Sequence, residues 1–280
     1  MKFNVSAELN YTCFEPCVIM INVHAARGAQ EIIEENLIVS GDQFFTEIAS
    51  FPDNNRLIRI NTNNTGEIHC SYTATVENHF TLVNCENAGE AGVRQLQPEV
   101  ISYLNPSRFC QSDKLFRLAT HQFGRIENDF NKVLAISDWI YTNVEYLSGS
   151  TNAETSAYDT VTQQAGVCRD FAHLGIALCR ALTIPARYCA VYAYQLVPQD
   201  FHACFEAFLG GRWIIFDATR LAPLNGLVKI AVGRDAADTA VANLFGNVTG
   251  NWVNVNAELA SGEFIPHFYE SGKCEGLSYD

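Results

Sequence analysis

Gly210-Gly211 separates two runs of strand-forming residues, and no other feature constrains the middle of the chain as tightly. His202 to Leu209 reads HACFEAFL and Arg212 to Thr219 reads RWIIFDAT. Both runs are rich in aromatic or β-branched residues, and a glycine pair between them predicts a two-residue β-hairpin. Leu209 then pairs with Arg212. Counting outwards, Cys204 faces Asp217 and His202 faces Thr219. Directly opposed residues, and residues two apart, share a face of the sheet. His202 and Asp217 therefore become diagonal neighbours, with Cβ atoms roughly 7 Å apart, within reach of an imidazole–carboxylate hydrogen bond. A register slip of one residue would send them to opposite faces.

A helix is predicted upstream, from Cys168 through CRDFAHLGIALCRAL. Val167, Phe171, Leu174, Leu178 and Leu182 recur on one helical face, and Ala172, Ala177 and Ala181 add propensity. Pro185 disfavours helical geometry at the residue before it, so the helix stops ahead of Ile184-Pro185. Gly166 permits a tight lead into the first turn. Cys168 thus stands where backbone N–H groups are unpaired and the helix dipole is positive, which favours a thiolate. The same N–H groups can hold the oxyanion formed when a carbonyl is attacked. A nucleophile (Cys168), a base (His202) and an orienting carboxylate (Asp217) are the parts of a thiol acyl enzyme.

These segments also carry a family resemblance. GVCRDFAHL, IPARY, DFHACFEAFLGGRW and FDATRLAP, with GRDAAD at Gly233 to Asp238, resemble the core of the transglutaminase-like superfamily and its bacterial cysteine-protease-like members, over about Tyr158 to Asp238. The resemblance implies an α+β, papain-like core, with the cysteine helix packed on an antiparallel sheet bearing the histidine and aspartate. Its Cys-His-Asp triad falls on Cys168, His202 and Asp217. Cys204 stands where relatives often have tryptophan, and Ala218 where many have proline.

Other residues have structural readings. Cys179, Cys189 and Cys204 are expected in the core, as cysteine often is, although Cys204 shares a predicted face with His202. His173 reads as a packing or hydrogen-bonding residue, and Arg169 and Asp170 as ion-pairing groups at the helix start. Gln163 and Gln164 lie near in sequence, but neither is assigned as an oxyanion donor. Cys13 and Cys17 form the one close cysteine pair; no second pair completes a zinc set. No phosphate-binding glycine loop, Gly-x-Ser-x-Gly or calcium loop is present. No cofactor and no metal is therefore expected.

Residues 1 to about 95 read as an all-β, sandwich-like domain, with strands at Val18–Val23, Leu57–Ile60 and Ile68–Val76 and turns at Pro52–Asn55 and Asn61–Gly66. Residues 84–97 read as a linker. Residues 96–280 read as the catalytic domain, with helices at Lys114–Ala119 and Asn131–Thr142 capped by Ser112 and by Asn128 or Asp129. Residues 193–201 and 220–250 read as loops bordering the cleft, with Tyr192, Tyr194, Trp213 and Trp252 as candidate lining, although aromatics at these spacings are more often core, and the stretch after Trp252 as edge strands. A chain of 280 residues with 48% hydrophobic content can bury a full core. The net charge of −13 argues against nucleic acid and anionic membranes as partners. With no apolar run of signal-peptide or membrane length at hand, a cytoplasmic location is expected, with the ten cysteines mostly reduced.

The function expected first is cleavage of peptide or isopeptide amide bonds in a protein or peptide substrate, and second, acyl transfer to an amine. A catalytically silent binding module and a redox pair of Cys168 and Cys204 are the alternatives.

Overall fold

The computed structural model describes residues 1–28, 30–41, 44–50, 52–86, 92–270 and 272–280. Seven strands come first: β1 (Lys2–Cys13), β2 (Val18–Ile21), β3 (Gln30–Val39), β4 (Phe44–Ala49), β5 (Arg56–Asn61), β6 (Gly66–Asn78) and β7 (Thr81–Asn84). The helical part follows, with α1 (Pro98–Ile101), α2 (Ser112–Phe123), α3 (Asp129–Asn143), β8 (Glu145–Tyr146), α4 (Ala157–Gln163), β9 (Ala165–Gly166) and α5 (Cys168–Ala181). The chain then forms β10 (Ala186–Ala193), β11 (Phe201–Leu209), β12 (Arg212–Phe216), β13 (Leu227–Gly233), β14 (Ala242–Phe245), β15 (Val248–Ser261) and β16 (Glu275–Ser278).

The N-terminal part is all-β as expected, built as two four-stranded sheets, β15-β1-β6-β3 and β14-β2-β5-β4. Alternating positions of β1 supply Phe3, Val5, Ala7 and Leu9 to an apolar core shared with Ile19, Ile21, Ile58 and Ile60. Both sheets also take in a strand from after residue 240. β15 pairs with β1 along its whole length, from Lys2↔Ser261 to Cys13↔Val248. β14 pairs with β2. The C-terminal strands thus return to the first domain, and an apolar edge that β1 would otherwise expose is covered. The expected linker lies partly outside the described residues; within it, β7 ends at Asn84 and pairs with β16.

The third sheet, β12-β11-β10-β13, is antiparallel throughout. Its hairpin has the expected register: Leu209 pairs with Arg212 and Phe205 with Phe216. Gly210 and Gly211 both have positive φ, 59° and 85°, which a primed turn requires at each central residue. Residues 220–250 are more ordered than a loop reading allows, because β13 pairs with β10 and β14 with β2. The outer edge of β13 is closed by side chains. Gln30 donates through Nε2 to the Lys229 carbonyl at 2.8 Å and accepts from the Lys229 N–H at 2.9 Å. Asn55 makes the same reciprocal pair with Val232, at 2.8 and 3.0 Å. Each amide imitates a strand partner and joins the β-domain to the third sheet.

α5 packs between this sheet and α2, α3 and α4, with Phe171, Leu174, Ile176 and Leu178 all buried. Burying each such side chain contributes about 1.5–3 kcal/mol. Asn128 caps α3 as expected, accepting from the Asn131 N–H at 3.0 Å. Ser112 does not cap α2; it is the first helical residue, and Gln111 precedes it without a side-chain cap.

Candidate active site

Cys168 is the first residue of α5, partly exposed, with Val167 as the flanking residue in extended conformation. The helix start is locked from within. Asp170 Oδ2 accepts the Val167 N–H at 3.0 Å, and Asp170 Oδ1 pairs with Arg169, which also donates to the Asn152 carbonyl at 2.7 Å. The ion pair expected at this position is present. Gly166, just upstream, has no room for a Cβ, which would meet Asp170 at 2.9 Å.

His202 lies at the beginning of β11 and Asp217 one residue beyond β12. Both are buried. His202 Nε2 and Asp217 Oδ2 are 2.9 Å apart. Asp217 Oδ1 is held in turn by the Thr219 N–H at 2.9 Å and the Thr219 hydroxyl at 2.7 Å. The Asp217 bond leaves Nδ1 of the ring free, and the Cys168 thiol lies against the imidazole. The three residues singled out from sequence are therefore brought together.

Burial alone would lower the His202 pKa, but the Asp217 carboxylate and its hydrogen bond outweigh it and hold it well above the ordinary imidazole value. Burial alone would raise the Asp217 carboxyl; His202 and Thr219 together hold it below the ordinary value. Each partner thus favours the charged form of the other. Cys204 sits beneath the pair. Burial, with Asp217 opposite, pushes the Cys204 thiol up to about 12, so it stays protonated. A protonated thiol is a poor nucleophile, which disfavours a redox pair with Cys168. One atom each from His202, Cys204 and Asp217 lies within 4.8 Å of the others, the spacing of a soft-metal site. A second such group, Glu31, Glu77 and His79, is on the outer surface.

Tyr146 was not legible from the sequence. Its ring lies against Phe171, 5.8 Å between centroids, and its hydroxyl meets both the backbone and the thiol of Cys168. The parallel pairing of Tyr146 with Gly166 sets this position, with the Leu147 N–H donating to the Gly166 carbonyl at 3.0 Å. Gln164 instead ends α4 in left-handed conformation.

A cleft of about 740 Å³ opens over Cys168 and His202. Its aromatic lining is Phe109, Tyr188 and Phe201, while Asn243 and Val253 come from the returning strands β14 and β15. None of the four aromatics proposed from sequence lines it. Tyr192 is buried and donates to the Val23 carbonyl at 2.6 Å. Tyr194 packs on Phe3 and Phe264, Trp213 on Tyr103 and Phe208, and Trp252 on His69. His173 is a packing residue as expected: buried, stacked on Phe109, and accepting the Ala236 N–H at 3.1 Å.

The profile of the transglutaminase-like superfamily matches residues 117–218, which include Cys168, His202 and Asp217. That of the bacterial transglutaminase N-terminal domain matches residues 1–99. A solved structure of a candidate cysteine protease from Cytophaga hutchinsonii is 51% identical, with a TM-score of 0.96 over 99% of this chain and 97% of that one. The chain belongs to the transglutaminase-like superfamily. Two uncharacterised mycobacterial proteins also match this superfamily member. That of Mycobacterium leprae is 31% identical over 116 residues, 39% of this chain and 42% of the relative. That of Mycobacterium bovis is 43% identical over 53 residues, 19% of this chain and 17% of the relative. The matches span less than half the length of either relative. The fold is the mixed one expected, an N-terminal β-domain followed by a transglutaminase-like core.

Proposed function

We propose that this protein is a thiol-dependent acyl enzyme that hydrolyses amide bonds in peptide or protein substrates. The observation that carries this is the placement of the His202 imidazole between the Cys168 thiol and the Asp217 carboxylate. His202 takes the Cys168 thiol proton, giving a thiolate–imidazolium pair. Cys168 Sγ attacks the amide carbonyl, forming a C–S bond and a tetrahedral oxyanion. The Cys168 N–H at the head of α5 and the Tyr146 hydroxyl are the donors proposed for that oxyanion. His202 gives its proton to the leaving nitrogen as the C–N bond breaks, leaving a thioester. Water then attacks the thioester; His202 takes the water proton, and the carboxylic acid leaves as thiolate and imidazolium are restored. Asp217 holds the imidazole orientation and stabilises its charged form throughout.

The setting proposed is the cytoplasm, supported by ten cysteines that are all free. Acyl transfer to an amine uses the same thioester with a different acceptor. The test is a peptide library digested with and without a primary amine. Release of new carboxyl ends, abolished by Cys168→Ala in a folded protein, is the expected result. Activity retained by Cys168→Ala would overturn the reading, and amide products formed only with the amine would replace hydrolysis by transfer.

A further inference from the structure

The chain carries a net charge of −13, yet the charged side chains lining the cleft are Arg108, Arg169 and Asp200. Two of them are already engaged. Arg169 is bound to Asp170 and to the Asn152 carbonyl. Asp200 accepts the Phe201 N–H at 2.7 Å. Arg108 differs: among the described residues its guanidinium has no carboxylate partner, and it lies 4.9 Å above the ring of Phe109.

The mounting of Arg108 is rigid. The Phe109 ring is stacked on the buried His173 imidazole, 5.0 Å between centroids and 11° between planes. The Phe109 N–H donates to Asp235 Oδ2 at 2.9 Å, and its carbonyl accepts the Ala157 N–H at 2.8 Å. His173 in turn fixes Ala236, which lines the same cleft. Stacking on an aromatic face leaves the edge of a guanidinium, with its N–H donors, free to take a carboxylate. Much of the remaining wall is small, with Ala153, Ala190, Ala203 and Ala237 beside Tyr188 and Phe201, which leaves room for a substrate side chain.

We propose that Arg108 is an anion subsite of the cleft, and that the acyl donor carries a carboxylate near the amide bond that Cys168 attacks. This rests on the reading of Cys168 as the nucleophile. The carboxylate can belong to an acidic side chain or to a peptide C-terminus; the chemistry recognised is the same.

Two measurements test it. The first needs no substrate: the rates at which iodoacetate, an anion, and iodoacetamide, its neutral counterpart, alkylate Cys168, read by peptide mass spectrometry. The iodoacetate-to-iodoacetamide ratio should fall roughly threefold to tenfold in Arg108→Gln, stay near the parent value in Arg108→Lys, and fall in the parent at high salt. An unchanged ratio, with both reagents still labelling Cys168 rapidly, would overturn the subsite and leave the nucleophile reading standing. Labelling of Cys168 no faster than the other cysteines by either reagent would overturn both.

The second measurement compares peptide substrates containing Glu or Gln near the scissile bond, each with a free or an amidated C-terminus. Arg108→Gln should raise KM for the carboxylate-bearing peptides with kcat little changed, and leave the neutral peptide unaffected. A KM effect confined to free C-termini assigns the terminal carboxylate, and one following Glu assigns the side chain. Equal KM changes for charged and neutral peptides would overturn the proposal.

Discussion

Gly175 lies against the ring of Phe205, so close that a Cβ on the glycine would meet the ring at 2.6 Å. Gly175 is two turns along α5 from Cys168, on the same side of the helix. Phe205 is fully buried on β11 and stacked on Phe216, 5.6 Å between centroids. The absent side chain therefore sets the distance between the helix that presents the thiol and the strand that presents the imidazole.

Gly175→Ala should force α5 away from β11. Overpacking of this kind costs about 1–3 kcal/mol, measured as a lower denaturation midpoint in urea. Cys168 should lose alkylation rate even where the variant is fully folded. A variant with parental stability would mean that the core absorbs the methyl group elsewhere.

The His202–Asp217 pair gives stability a defined pH dependence. His202 is raised, so its contribution is complete below about pH 6.5 and is lost as pH rises through its folded value. Asp217 is lowered, so its contribution is present above about pH 3.9 and is lost as pH falls through its folded value. The difference in melting temperature between parent and Asp217→Asn should be widest between these limits and narrow toward alkaline pH. A difference that widens from pH 7 to 10 would contradict an imidazolium–carboxylate pair. In activity, the same variant should lose roughly 10²- to 10⁴-fold in kcat.

Glu206 is a buried carboxylate on β11 between Arg187 of β10 and Lys229 of β13. Burial would raise its pKa, but these two cations pull it down to about 2. Glu206→Ala leaves both cations only the longer pairing to Asp280 Oδ1, 3.7 Å from each, at a cost of about 3–5 kcal/mol. Unfolding in urea measures this directly. A loss under about 1 kcal/mol would show that water reaches both cations.

Tyr146→Phe keeps the ring contact with Phe171 and removes the hydroxyl beside Cys168. An oxyanion donor acts on the transition state, so kcat should fall up to roughly 10²-fold with KM little changed. A rise in KM alone would recast Tyr146 as a substrate contact.

The residues of the candidate site were legible in sequence where short-range rules dominate. A glycine pair admits few turn geometries, so the register that joins His202 to Asp217 follows from counting. The first turn of α5 is marked by Gly166 before it and by apolar periodicity after it. Tyr146 was invisible because its position depends on a two-residue parallel pairing with Gly166, too short to carry a periodic signal. Which aromatics line the cleft was not legible, because strand spacing does not say which face another domain will cover: Tyr192 points at Val23. The return of β14 and β15 to the first two sheets was not legible for a related reason. β14 and β15 resemble any other strands, and nothing local names β1 and β2 as their partners.

That return has a consequence for how the molecule comes into being. Translation delivers β1 first, but one of its two neighbours is β15, more than 200 residues later. Cys168, His202 and Asp217 all emerge from the ribosome before Val253, which closes a wall of the cleft. A nascent chain would thus hold its three reactive groups before it holds the walls that select a substrate. Contacts this distant in sequence form slowly, so the order of synthesis separates the arrival of reactivity from the arrival of selectivity.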